Sequence, residues 1–93
     1  MAIGTSGLGG GGLRGVEQYS LAYDGELLGP FTVGETLTFG NSATATLDVL
    51  VDGGVTGTMQ ITMLSGIAPV DDDTIEGGAS SATAVINGLL EAI

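Results

Sequence analysis

The chain has 93 residues, no Cys and no His, and 11 acidic residues against one basic residue, for a net charge of −10. Disulfides, thiolate metal sites, Cys nucleophiles and His-based acid–base catalysis are thereby excluded together. So strongly acidic a surface repels phosphate backbones and anionic membranes, leaving basic protein surfaces and divalent cations as the partners that charge favours.

Residues 1–15 (MAIGTSGLGGGGLRG) are a low-complexity stretch containing the run Gly9 to Gly12. Alone, such a segment buries too little surface to offset its ordering entropy, so a flexible N-terminal arm is expected. A disordered tail is one reading. The other is an arm that folds onto a neighbouring subunit, with Ile3, Leu8 and Leu13 as apolar anchors. The glycines are no phosphate loop, because no Gly-Lys-Ser/Thr ending and no preceding strand accompany them. This start also lacks the basic opening and apolar core of a signal peptide, so synthesis in the cytoplasm is expected. No run of apolar residues is long enough for a membrane-spanning helix.

From Val16 to Tyr23 the residues alternate, with Tyr19, Leu21 and Tyr23 on one face, which predicts a strand. Asp24-Gly25 is a hairpin signal. Gly29-Pro30 interrupts the chain, and Thr36 to Phe39 alternates again with Leu37 and Phe39 inward. After the Gly40-Asn41 turn comes a long strand with Ala43, Ala45, Leu47, Val49 and Val51 on one face. Asp52-Gly53-Gly54 is the clearest hairpin signal, and its return strand puts Val55, Gly57, Met59, Ile61 and Met63 together. Thr74 to Glu76 and Ala82 to Ile86 are the next strands. Asn87-Gly88 is another hairpin-type dipeptide, leading into a last strand or single helical turn over residues 89–93, the strand being preferred. Residues 16–93 thus predict one all-β domain, a small barrel or sandwich of about seven or eight short antiparallel strands.

Two stretches of this domain repeat, at about 31–51 and 67–87. Thr36-Leu37 falls on Thr74-Ile75 and Gly40 on Gly78. One residue later in register, Ser42-Ala-Thr-Ala45 falls on Ser81-Ala-Thr-Ala84. The repeated unit is strand, Gly turn, strand, and it carries no reactive group, which favours a built object over an enzyme.

Candidate chemistry is sparse. Asp71, Asp72, Asp73 and Glu76 are the one dense carboxylate cluster, and calcium takes such hard oxygen ligands. The spacing of a calcium loop is absent, so a solvated acidic loop is the competing reading. Asp24 with Glu26, and Asp48 with Asp52, are paired carboxylates, but four aromatics leave little from which to build a sugar cleft. Ser42, Ser80 and Ser81 have no His or Lys to activate them. Glu35 and Asp73, equivalent across the repeats, are expected to cap turns. No catalytic residue and no cofactor is predicted.

The pattern Phe31-x-x-Gly34-Glu35-x-Leu37-x-x-Gly40-x-Ser42-Ala43-x-Ala45 resembles a motif found, often in tandem, in structural proteins of tailed bacteriophages, typically Phe-x-x-Gly-Glu-x-Val/Ile-x-Gly-x-x-Ser-Gly-Ala-x-Ala. It covers residues 30–51 well and 67–87 loosely. Departures lie at Phe39, at the missing Gly after Ser42, and at Asp72-Asp73 in place of Gly-Glu. Within that group, a small acidic β-domain with a Gly-rich arm looks like a capsid decoration, or cement, protein. The resemblance implies a homotrimer on the virion surface that braces the head by binding the major capsid protein. Ile3, Leu8, Leu13 and Arg14 of the arm would dock the capsid or a neighbouring subunit. A tail, neck or fibre module is the alternative, followed by a small-ligand-binding β-barrel.

Overall fold

In the computed structural model, residues 17–93 are described. Seven antiparallel strands form one sheet: β1 (Gln18–Leu27), β2 (Thr36–Phe39), β3 (Thr44–Asp52), β4 (Gly57–Ser65), β5 (Thr74–Gly77), β6 (Thr83–Ile86) and β7 (Glu91–Ala92). Their order is β4-β3-β2-β5-β6-β1-β7, and β4 also pairs with β1. The pairings therefore close into a ring of six strands. The domain is all-β and barrel-like, with β7 lying along β1 beyond the end of β6.

Alternation places the apolar residues inward. Leu37, Leu47, Ile61, Ile75 and Ile86 are wholly buried, joined by Leu21, Tyr23, Phe31, Phe39 and Met59. Small inward residues, Ala43, Ala45, Ala82 and Ala84, occupy the starts of β3 and β6 and let the walls approach. The outward face of the strands is mostly Thr, Gln and acidic residues, the composition of a half-solvated antiparallel sheet.

The duplication is deeper than the sequence repeat. Gly34 N–H donates to Leu47 O and Leu47 N–H to Glu35 O; in the second half Asp72 N–H donates to Ile86 O and Ile86 N–H to Asp73 O. Gly40 N–H donates to Thr74 O, and Gly78 N–H to Thr36 O. Left-handed backbone recurs in pairs, at Leu28 and Gly66, Gly34 and Asp72, Ser42 and Ser81. The same offset carries β1 onto β4, whose sequences show no obvious repeat. In the β1–β4 ladder Leu21 faces Met59, and in the β2–β5 ladder Thr38 faces Glu76. Each of these is a pair of equivalent residues, so a pseudo-twofold axis passes through both. The repeating unit is β1-β2-β3 against β4-β5-β6, longer at its start than 31–51 and 67–87.

Four sequence expectations change, one of them at Val55, which lies before β4 and is 64% exposed instead of sharing the inward face of Met59 and Ile61. Asp24-Gly25 makes no hairpin: β1 runs straight through it, with a shift in its register on β6 between Asp24 and Leu27. Gly25 has φ of 64°, and that left-handed conformation serves a bulge as well as a turn. Asn87-Gly88 makes no hairpin either. β6 and β7 lie successively along the same strand, β1, with Asn87 N–H donating to Ala22 O between them. Finally, Val49 and Val51 do not share the inward face of Ala45 and Leu47. The β3–β4 register shifts between Leu47 and Val49, which turns both valines outward and brings Leu50 against the core. A single extra residue in a strand exchanges its two faces from that point on. The hairpin at Asp52-Gly53-Gly54 forms as expected, with Asp52 paired to Gly57 and the Asp52 carboxylate accepting from Gly54 N–H.

Candidate functional site

The described residues hold one buried capping carboxylate, one carboxylate pair and one outward apolar face. Each follows from a distinct local feature of the chain.

Glu35 closes the turn before β2. Its Oε2 accepts from Thr32 N–H at 2.7 Å and Ser80 Oγ at 2.8 Å; its Oε1 accepts from Ala79 N–H at 2.9 Å and Ser80 N–H at 2.8 Å. The side chain thus caps its own turn and clasps the β5–β6 turn of the other half. Burial alone would raise its pKa, but the hydrogen bonds from Thr32, Ser80 and Ala79 outweigh that and hold it below the usual carboxylate range. Gly77 makes room for it, since a Cβ there would stand 2.4 Å from Ser80 Oγ and 2.6 Å from Glu35 Oε1. Asp73, the equivalent residue, caps its own turn through Val70 N–H at 2.9 Å. The expected capping role holds for both. Its four committed donors leave Glu35 little capacity to serve as a base.

The carboxylate pair lies where β1 passes the β3–β4 hairpin. Tyr23, buried and in edge contact with Phe31, directs its hydroxyl at Asp52 Oδ1 at 3.4 Å. Burial and the neighbouring Glu26 and Asp52 carboxylates push the phenol well above its ordinary pKa. Glu26 Oε1 is buried without a hydrogen-bond partner among the described residues. Burial raises the Glu26 carboxyl, the Tyr23 hydroxyl opposes that, and Asp52 adds to the rise. This group can hold a proton on Glu26.

The apolar face is built by the outward turn of β3. Val49 is 44% exposed and Val51 62%. Together with Ser20 of β1 and Thr58 and Gln60 of β4 they line a shallow groove. A second groove shares Ser20 and Thr58 and continues past Ala22 to Leu89, which is 83% exposed, and Glu91. Both depressions run over the β1–β4 ladder at one end of the pseudo-twofold axis. They are open and suit a flat or extended protein segment better than an enclosed small molecule.

The acidic cluster proposed from the sequence is not brought together. Asp71 accepts from Gly88 N–H at 2.8 Å, Asp73 from Val70 N–H, and Asp72 occupies a left-handed turn position. Glu76 stands on β5 opposite Thr38. Among the described residues no group of three or more acidic side chains is placed to hold a metal ion. Ile3, Leu8, Leu13 and Arg14 lie outside the described residues. The outward turn of the valines, and the grouping of Glu26 with Tyr23 and Asp52 rather than with Asp24, were missed in the sequence because each lies beside a register shift that no residue pattern announces.

No protein family, curated protein or solved structure matches this chain.

Proposed function

We propose that this chain is a non-enzymatic structural module that docks on the outside of a tailed-phage head and stabilises it, a decoration protein. The observation that carries the reading is the outward apolar face of Val49, Val51 and Leu89 on a barrel-like domain whose interior is filled by its own side chains. Exposed apolar groups rimmed by polar ones suit a protein-binding surface. The clasp of Glu35 across the two halves supports the same reading, because a docking module gains from rigidity. The partner in this reading is the major capsid protein, with homotrimers at threefold or quasi-threefold positions of the head, and several weak contacts acting together would supply the avidity. The acidic surface favours a basic patch on that partner.

A tail, neck or fibre module is the second reading, since the same face would serve there. Quantitative mass spectrometry of purified particles separates the two. A copy number equal to, or a small fraction of, that of the major capsid protein supports decoration. A handful of copies moves the chain to the neck, tail or fibres, and absence from particles overturns both.

A further inference from the structure

Tyr23 and Glu26 of β1 meet Asp52 of β3 at one end of the barrel, where Glu26 N–H donates to Val55 O at 3.1 Å and fastens β1 to the β3–β4 hairpin. Donors and acceptors there are unequal in number. Asp52 Oδ1 accepts from Gly54 N–H at 3.1 Å and from the Tyr23 hydroxyl at 3.4 Å. Glu26 Oε2 lies against the backbone of Gly29, where a Cβ would collide with it. Glu26 Oε1 is buried and meets no donor among the described residues. Tyr23 brings one hydroxyl proton to two carboxyl groups. With both carboxyls ionised, Oε1 would be a buried acceptor with nothing to accept, beside a like charge. Residues 17–93 contain no Lys, Arg or His to offset it. A proton on Oε1 removes both difficulties, because the acid O–H then has Asp52 as its acceptor.

We propose that Glu26 and Asp52 bind one proton between them, and that this shared proton latches the β3–β4 hairpin onto β1. Tyr23 of β1 and Asp52 of β3 are the titratable groups that face Glu26. The hairpin and β6 bring Val55, Gly57 and Thr83 alongside, none of which titrates. Burial raises the folded pKa of Glu26, the Tyr23 hydroxyl opposes the rise, and Asp52 adds to it. A folded value above the unfolded one means that the latch is fully present below about pH 4.3 and is lost as pH rises through the folded value. The charge then created sits between Asp52 and the Tyr23 oxygen, and the relief open to it is for the exposed hairpin tip to move off β1. Val51, next to Asp52, lines the outward groove with Thr58, so release of the tip reaches that face. The latch stands whatever the face binds, and its failure would leave the docking reading as it is.

The test is an NMR pH titration of the full chain that follows the carboxyl carbons of Glu26 and Asp52. Exchange protection factors are read alongside for the Glu26 amide, which bonds Val55 O, and for the Leu47 amide, which bonds Glu35 O away from the latch. Glu26 should titrate above the ordinary carboxylate value of about 4.3, and the Asp52 carbon should register the same step. Protection at Glu26 should fall at least about fivefold through that step while Leu47 holds. Glu26→Gln keeps an N–H donor toward Asp52 and should leave protection flat over the same range. Asp52→Asn removes the like charge and offers Oε1 a donor, so the Glu26 midpoint should drop. An ordinary Glu26 midpoint, an Asp52 carbon blind to the step, or a midpoint unmoved in Asp52→Asn would overturn the shared proton. Protection at Glu26 that ignores pH, falls equally at Leu47, or still falls in Glu26→Gln would overturn the latch.

Discussion

Replacing Glu35 by Ala tests whether one carboxylate holds the two halves together. The substitution strips the acceptor from three backbone amides, Thr32, Ala79 and Ser80, and from the Ser80 hydroxyl. Thr32 and Ala79 are exposed residues, so water can reach their amides, and the hydroxyl can rotate to another acceptor. Ser80 N–H is less accessible, and the space beside Gly77 is left empty. Each stranded donor costs about 1–3 kcal/mol when water cannot replace the partner, so with partial rescue the loss comes to about 2–4 kcal/mol. In urea that lowers the unfolding midpoint by about 1–3 M at unchanged slope. Glu35→Gln should cost less, since an amide oxygen can still face Ala79 and Ser80 while its NH2 opposes Thr32 N–H. The pH dependence separates charge from shape. The folded pKa of Glu35 is depressed, so its contribution is fully present above the unfolded value of about 4.3 and fades as pH falls through the folded one. The parent should therefore lose stability on acidification more steeply than the Gln variant. A loss below about 0.5 kcal/mol in Glu35→Ala would refute the clasp, being the size of an ordinary surface change.

Gly77→Ala should destabilise by a comparable amount, because its Cβ would collide with both Ser80 Oγ and the Glu35 carboxylate; thermal unfolding reads it directly. Leu28→Gly should stabilise by up to about 1 kcal/mol, since Leu28 is 77% exposed at φ of 58° and its counterpart is already Gly66; a lower midpoint would count against the pseudo-symmetry. Glu26→Gln should raise stability at pH 7. The folded pKa of Glu26 is raised, so its charged form is penalised above the unfolded value, and the advantage of Gln should vanish as pH falls below about 4. Deleting residues 1–15 should weaken particle binding if the arm docks, measured by co-sedimentation with particles, and unchanged binding would remove Ile3, Leu8, Leu13 and Arg14 from the interface.

Much of this fold could be read from alternation. Leu37 and Phe39, and Met59, Ile61 and Met63, face inward as their spacing predicts, because a two-residue period has one reading when half the residues are polar. The hairpin at Asp52-Gly53-Gly54 was legible for the same reason. Asp24-Gly25 misled because Gly25 supplies a conformation shared by turns and bulges, and only the neighbouring strand decides between them. The kinship of β1 and β4 was hidden since Leu21 and Met59, or Tyr23 and Ile61, share only bulk and burial. Glu35 was legible as a cap. Its reach to Ser80 was not, because a contact between the halves leaves no mark on the local pattern.

The exchange of strands between the halves has a consequence during synthesis. β1 carries Leu21 and Tyr23, yet every strand that pairs with it comes from the second half of the chain: β4, β6 and β7. As the polypeptide leaves the ribosome, β1 must wait unpaired until β4 emerges, and its other edge waits for Ile86. The first half holds only the short β2–β3 ladder meanwhile. Final closure thus waits until residues 83–92 have emerged, at a loop-closure cost that slows it relative to a protein of local hairpins. A nascent chain stalled before residue 57 would display Leu21 and Tyr23 to whatever chaperone or sister chain lies nearby.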